Sequence, residues 1–578
     1  MPRDNYRFEY DQYGHTCAIR TSARGVEVSE NSFTNKGTSF TQEERRLLEL
    51  EGALPPAVRS MASQVENSQR RVAEKASDIE KFITIRELFD RNVTLAHALI
   101  ASDIARYLPI IYTPTVGLAC RNYSSLFRRA NGLHFYPGNI DRAEAILRRY
   151  AHRQIRVAVV TDNQGILGIG DQGAGGIAIC VGKLMLYTQG AGIAPWHCLP
   201  VSLDVGTDNP ELLDDPDYLG WRHERIRGDA YIDFVQRFAR AFKTVFPHAL
   251  CQWEDFSKQN AFAIRNAYLH EMISFNDDIQ GTGAVALAAI LAAMKCKGEQ
   301  LGEQVFLVHG AGAGGVGIAE QLETALIATG LDRDAARARI FTADRHGLVT
   351  NVRPLEPYKE TFAKDTRGLP WYKEPGDGQL ANVIRNVGVT VLIGTSGQGG
   401  GFGLEIVQAM LANCARPVIL PLSNPTEKAE AVPADICAWS GGQALIATGS
   451  PFAPVIRQGK AVRVGQCNNV FVFPGVGLGV LASGAREVLP EFFTAAAYAV
   501  AEQVSEADLR QGILLPEVRN LRRICRQVAL AVGEAAIRAG VAGPCAFSAF
   551  QHENDPGRLA RLIDAMAWRP QYLPVVPM

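Results

Sequence analysis

The rhythm of hydrophobic and polar positions changes near residue 155. Before it, apolar residues recur at helical spacing. The pattern predicts a helix from Arg45 to Gly52, a longer helical stretch from Ile79 to Leu108 broken near Arg91-Asn92, and a helix from Val116 to Ala130. Thr41-Gln42-Glu43-Glu44 reads as a capping box opening the first of these, and Pro55-Pro56 as its stop. Residues 1 to about 40 are polar and glycine-punctuated, with little periodicity. After residue 155, short β-branched runs alternate with helices, the signature of βαβ units and a largely parallel sheet. The expected class is α/β with a helical N-terminal region.

The ends of those runs carry the candidate chemistry. Ile155 to Asp162, Leu199 to Asp204, Leu250 to Asp255 and Ile273 to Asp278 each finish on an acid. In a parallel sheet these ends share one edge, so acids far apart in sequence can converge on a cleft. Each is also an ordinary cap or turn residue. Farther on, the strand-like Val305 to Val308 leads into Gly310, Gly312 and Gly315, a G-x-G-x-x-G turn before a helix, and Ile340 to Asp344 follows as a strand ending in an acid. Such a turn lets a pyrophosphate approach a helix N-terminus, so a Rossmann-like dinucleotide-binding domain is expected. Asp344 suits a free ribose 2′-hydroxyl and hence NAD, whereas Arg345 and Lys359 suit the 2′-phosphate of NADP. Val389 to Gly394 and Pro417 to Leu422 end in Thr395-Ser396-Gly397-Gln398 and Ser423-Asn424-Pro425, small polar groups fit for a nicotinamide and substrate.

Composition narrows the class. Hydrophobic residues make up 47% of the 578 positions and charged residues 21%, as in a soluble globular chain long enough for several domains. A net charge of −1 gives no reason to expect nucleic acid or an anionic membrane as partner. Eleven cysteines without a Cys-x-x-Cys pair argue against structural zinc and a disulfide framework, and fit a reducing, cytoplasmic setting. The N-terminus lacks the apolar core of a signal peptide. The apolar stretch Ala284 to Met294 is too short to span a membrane and reads as a buried helix. The proline-bearing final forty residues are expected to wrap the surface or a neighbouring subunit.

Tyr112-Thr-Pro-Thr-Val-Gly117, Gly168-Ile-Gly-Asp171, Gly182-Lys183-Leu184, Glu254-Asp255-Phe256, Asn276-Asp-Asp-Ile-Gln-Gly-Thr282, Ser423-Asn-Pro425 and Phe473-Pro-Gly475 stand in one collinear order that resembles the malic enzyme family, with the related malolactic enzymes. The resemblance implies metal-dependent oxidative decarboxylation of L-malate to pyruvate and carbon dioxide with NAD or NADP. It implies Lys183 as base, Tyr112 as proton donor, Asp277 beside the lysine, and Glu254, Asp255 and Asp278 as ligands of Mg²⁺ or Mn²⁺. Asn424, Asn468 and Asn469 would bind substrate, with Asn424 also near the cofactor, and the family's habit is a homodimer or homotetramer. Glu254 and Asp255 can share a cation only if the strand has ended there, because consecutive strand residues face opposite ways. Gly165 stands where many malic enzymes carry an arginine, a feature shared with malolactic enzymes and with some bacterial malic enzymes, which leaves pyruvate and lactate both open as product. The implied domains are 1–130, mainly helical; 131–277, a parallel-sheet substrate and metal domain completed by 467–540; 278–466, Rossmann-like and NAD(P)-binding; and 541–578, a C-terminal extension.

Overall fold

The chain folds as two units, the first built from residues 1–254, 477–486 and 540–578 and the second from 255–476 and 487–539. The computed structural model describes residues 5–11, 14–166, 168–543 and 557–578.

The first unit opens with an unexpected antiparallel hairpin, β1 (Tyr6–Tyr10) and β2 (Thr16–Thr21). Its Phe8 stacks on Trp196 with ring centroids 4.4 Å apart. The capping box forms: Thr41 accepts from the Glu44 backbone while the Glu44 carboxylate accepts from that of Thr41. Its helix, Gln42–Leu47, is shorter than expected, and Glu49 just beyond it takes the left-handed conformation. Met61–Ala73 is helical although the pattern missed it, because its stripe is thin, with only Gln64 and Val72 buried. The stretch from Ile79 to Leu108 becomes three helices, Asp78–Arg91, Val93–Ser102 and Ile104–Ile111. The breaks fall at Asn92, as expected, and at Asp103, and each side chain caps the helix after it. The helix expected from Val116 to Ala130 is only Thr115–Arg121 followed by Tyr123–Leu126.

Next come β3 (Leu133–Phe135), β4 (Val157–Thr161), β5 (Cys198–Leu203) and β6 (Leu250–Trp253), parallel in the order β3-β5-β4-β6. The helix Ile177–Leu186 packs on β4 and β5 and continues as a π-turn through Tyr187–Ala191.

In the second unit, β7 (Ser274–Asn276) leads through the π-turn Asp277–Gly281 into the helix Thr282–Lys297. Residues Gly283 to Met294 of that helix are all buried, as an all-round apolar helix should be. Turn and helix together form the one segment among the described residues long and apolar enough to cross a membrane, but they pack inside this unit against Ala313–Ala328 and Pro490–Glu502.

The main sheet of this unit comprises β8 (Phe306–His309), β9 (Ile340–Asp344), β10 (Gly347–Leu348), β11 (Val391–Gly394), β12 (Val418–Pro421), β13 (Leu445–Thr448) and, beyond a hairpin of β14 (Val455–Arg457) and β15 (Lys460–Val462), β16 (Gly465–Gln466). Its order is β10-β9-β8-β11-β12-β13-β16, parallel except for β10. Successive strands step outward from β8 on one side and then from β11 on the other. The doubly wound order therefore reverses between β8 and β11, where such folds open their ligand crevice.

The chain ends in β17 (Val575–Pro577), which pairs parallel with β2 in the first unit. Tyr572 Oη accepts from Asn92 and donates to Gln64, so this extension is tied to its own N-terminal region.

Candidate functional site

Lys183 sits in the helix Ile177–Leu186 and is only 2% exposed. A buried ammonium needs a paired charge. It has one in Glu254, whose Oε1 is 2.8 Å from Lys183 Nζ and which follows the last residue of β6. Tyr112, buried at the C-terminal end of the helix Ile104–Ile111, turns its ring to within 5.7 Å of the same ammonium. The first unit thus brings together three residues from widely separated segments.

One residue on, the chain turns sharply. Asp255 has φ 55°, a left-handed value that costs a non-glycine residue energy and needs a compensating contact. Its backbone N–H donates to Asp278 Oδ2 at 2.7 Å. The strand has ended at Trp253, so Glu254 and Asp255 are free of strand alternation. Glu254, Asp255 and Asp278 each offer a carboxylate oxygen, all within 4.8 Å of one another. Three clustered carboxylates form an all-oxygen, anionic donor set of the kind a hard divalent cation such as Mg²⁺ or Mn²⁺ takes. Asp277 is fully buried, and its Oδ2 accepts from Asn469 Nδ2 at 3.0 Å. Asn468 caps the short turn after it through Val470.

Two of the four acids at strand ends have other tasks. The Asp162 carboxylate accepts from Tyr231 Oη and pairs with Arg225, and Asp204 accepts from the backbones of Trp221 and Gly206. Both brace loops of the first unit, the ordinary turn role.

At the β8–β11 switch point the glycine turn is crowded by backbone, its own and that of the loop after β11. Gly310 has φ 116°, and a Cβ there would lie 2.4 Å from Thr395. A Cβ on Gly315 would stand 1.9 Å from the Gly310 carbonyl oxygen. Only hydrogen fits at either position, and the helix Ala313–Ala328 begins with its amides facing the turn. The turn therefore fits a dinucleotide's pyrophosphate. Gly312 is less confined: the atom nearest its missing Cβ is Lys258 Cε, at 3.3 Å. Lys258 escapes notice in the sequence because nothing in its own segment marks it.

Asp344, at the end of β9, accepts from Arg353 at 2.7 Å, from the His346 backbone at 2.9 Å and from Lys359 at 3.1 Å. Burial pushes its carboxyl up, but those three donors outweigh burial and hold the pKa down to about 2. Lys359 also pairs with Glu356. Arg345 is exposed, with its Nε against His346. Asn424 accepts from Ser450 Oγ. Glu430, another residue the sequence does not single out, is fully buried and accepts from the backbone and hydroxyl groups of both Ser396 and Ser423, tying the loops after β11 and β12 together.

The malic enzyme N-terminal domain profile matches residues 89–269, and the malic enzyme NAD-binding domain profile matches 279–537. The NAD-dependent malic enzyme of Shewanella frigidimarina is 43% identical over 95% of this chain and 96% of its own length. The chain belongs to the malic enzyme family. The NAD-dependent malic enzyme of Edwardsiella ictaluri is 46% identical over 90% of this chain and 92% of its own. A crystal structure of the Entamoeba histolytica malic enzyme shares the fold at a TM-score of 0.55 and 21% identity, covering 91% of this chain and 92% of that one. As a malic enzyme family member the chain is an oxidoreductase. The two matched ranges leave 270–278 between them, the segment that carries Asp277 and Asp278.

Proposed function

We propose that this protein oxidises L-malate with NAD and releases pyruvate and carbon dioxide, using Glu254, Asp255 and Asp278 to hold Mg²⁺ or Mn²⁺. The observation that carries the reading is the buried Lys183–Glu254 pair beside the carboxylate cluster. A divalent cation bound there would act as a Lewis acid at the C2 oxygen of malate. NAD supplies the acceptor for the C2 hydride.

The chain's own residues manage the protons. Lys183, in its free-base form, takes the proton of the C2 hydroxyl as hydride departs. After carbon dioxide is lost, Tyr112 donates a proton to C3. Asn424, Asn468 and Asn469 orient the substrate, and Asp277, held by Asn469, contributes its negative charge to the lysine's surroundings. NAD rather than NADP is supported by Asp344, an acid suited to the ribose 2′-hydroxyl. Lys359, one of the two basic groups that would answer a 2′-phosphate, is engaged by Asp344 and Glu356. The cysteines of the described residues carry free thiols, which fits a reducing cytoplasm.

Incubation of purified protein with L-malate, Mn²⁺ and each nicotinamide cofactor tests the reading. Equal amounts of NADH and pyruvate are expected, with little reduction of NADP. Lactate without net NADH would overturn it in favour of malolactic chemistry, and absence of turnover would remove catalysis altogether.

A further inference from the structure

Behind Glu254 lies a chain of buried polar groups that substrate chemistry does not require. Gln252 lies in β6 and Glu254 just past its last residue, and their side chains turn to the same side, where they hydrogen-bond. Lys183 and Tyr187 are four apart along the continuous helix and π-turn, and they share a face. The two pairs meet rung by rung. Lys183 Nζ lies 2.8 Å from Glu254 Oε1, and Tyr187 Oη donates to Gln252 Oε1 at 2.5 Å. Gln252 Nε2 donates to Glu254 Oε2 at 2.8 Å. All four side chains are essentially sealed from solvent.

A glutamate's terminal torsion is broad and does not by itself hold the carboxylate plane. Here the plane is fixed from behind. The tyrosine hydroxyl takes the amide oxygen, so the amide nitrogen is left to face Glu254, and a carboxylate can only accept. The Tyr187 ring fills the space where a side chain on Gly477 would stand, its Cε1 2.6 Å from the position a Cβ there would take. From this geometry we infer that Gln252 and Tyr187 are positioning residues for the metal centre. Gln252 sets the orientation of Glu254 for a divalent cation, and Tyr187 acts on it through Gln252 by setting which way its amide points. The inference rests on the assignment of Glu254 as a ligand made above.

Mn²⁺ titration of the apo-protein, with free Mn²⁺ read from its electron paramagnetic resonance signal, tests this on wild type, Tyr187→Phe, Gln252→Met and the double variant. Loss of an orienting partner behind a metal ligand typically weakens binding about 10- to 100-fold. Gln252→Met is expected to raise the Mn²⁺ dissociation constant by roughly that factor and Tyr187→Phe by roughly 10-fold. The double variant should be no weaker than Gln252→Met alone, because the tyrosine's effect passes through the amide. NAD binding, read separately by fluorescence, should stay at the wild-type value in each.

Wild-type Mn²⁺ affinity in Tyr187→Phe, or additive losses in the double variant, would overturn the inference. If Gln252→Met loses NAD binding, it has misfolded and the single-oxygen change in Tyr187→Phe decides. A wild type that binds no Mn²⁺ would remove the metal centre itself, and this inference with it. Tight wild-type binding with unaffected variants removes only the positioning role.

Discussion

The carboxylate cluster and the glycine turn are built by opposite means. The cluster's chemistry comes from side chains fixed by specific partners: in the first unit the lysine by Glu254, in the second Asp278 by the Asp255 backbone and Asp277 by Asn469. At the turn after β8 the working groups are backbone amides, and what the sequence supplies is the absence of atoms at Gly310 and Gly315. The first kind of site fails when a group is removed. The second fails when one is added. The difference also sets what each site can do, since a side-chain cluster moves protons and holds cations while a backbone cradle only binds.

The largest test of that contrast is Lys183→Ala. General acid–base groups are typically worth about 10²- to 10⁴-fold in rate, and malate oxidation should fall at least that far while NAD binding persists. Because the change leaves Glu254 buried without this ammonium, the first unit should also lose stability, on the order of 3–5 kcal/mol for a broken buried pair. Arginine at this position should not restore turnover, since it stays protonated and cannot act as a base. Full oxidation by Lys183→Ala would sink the assignment of the base.

Gly315→Ala is the matching test of the cradle. Its new methyl would meet the Gly310 carbonyl at 1.9 Å and Thr395 Oγ1 at 2.7 Å, and backbone has to move to admit it. Strain of about 1–3 kcal/mol is usual for such overpacking. Spent on the turn, it reads as roughly 10- to 100-fold weaker NAD binding by equilibrium titration. Mn²⁺ affinity should be untouched. An alanine variant with wild-type NAD affinity would show that the cradle is softer than its contacts indicate.

The same contrast explains what was legible in the sequence. The glycine turn is local, so strand, glycines, helix and downstream Asp344 could be read in order, and the doubly wound sheet followed. The side-chain cluster is non-local. Family resemblance supplied its members, whereas strand-end acids alone overcounted: Asp162 and Asp204 look like Asp255 and Asp278 until their partners Arg225, Tyr231 and Trp221 are seen. Gln252, Tyr187 and Glu430 were invisible for the same reason, since each matters through a residue far along the chain. The β1 hairpin was missed for another. Tyr6, Phe8 and Tyr10 alternate with Arg7 and Glu9 at the period of a strand, a signal five residues long that its polar, aperiodic surroundings obscured. Met61–Ala73 lacked a strong stripe because a polar residue, Gln64, occupies one of its buried positions and hydrogen-bonds the Lys36 carbonyl.

The smallest expected effect comes from Lys258, which belongs to neither kind of site. It is an exposed side chain set against a backbone cradle, with its Cε 3.3 Å from where a Gly312 Cβ would stand. An ammonium there attracts a pyrophosphate through water, so its contribution is modest and screened, with a Debye length of about 10 Å at 0.1 M salt. Lys258→Ala should raise KM for NAD by roughly 2- to 5-fold at low ionic strength, in line with exposed charge pairs generally. The gap should close as salt is added, and kcat and KM for malate should hold. A loss that persists at high salt would mean the lysine makes a desolvated contact, and the cradle would then have to be counted as part side chain.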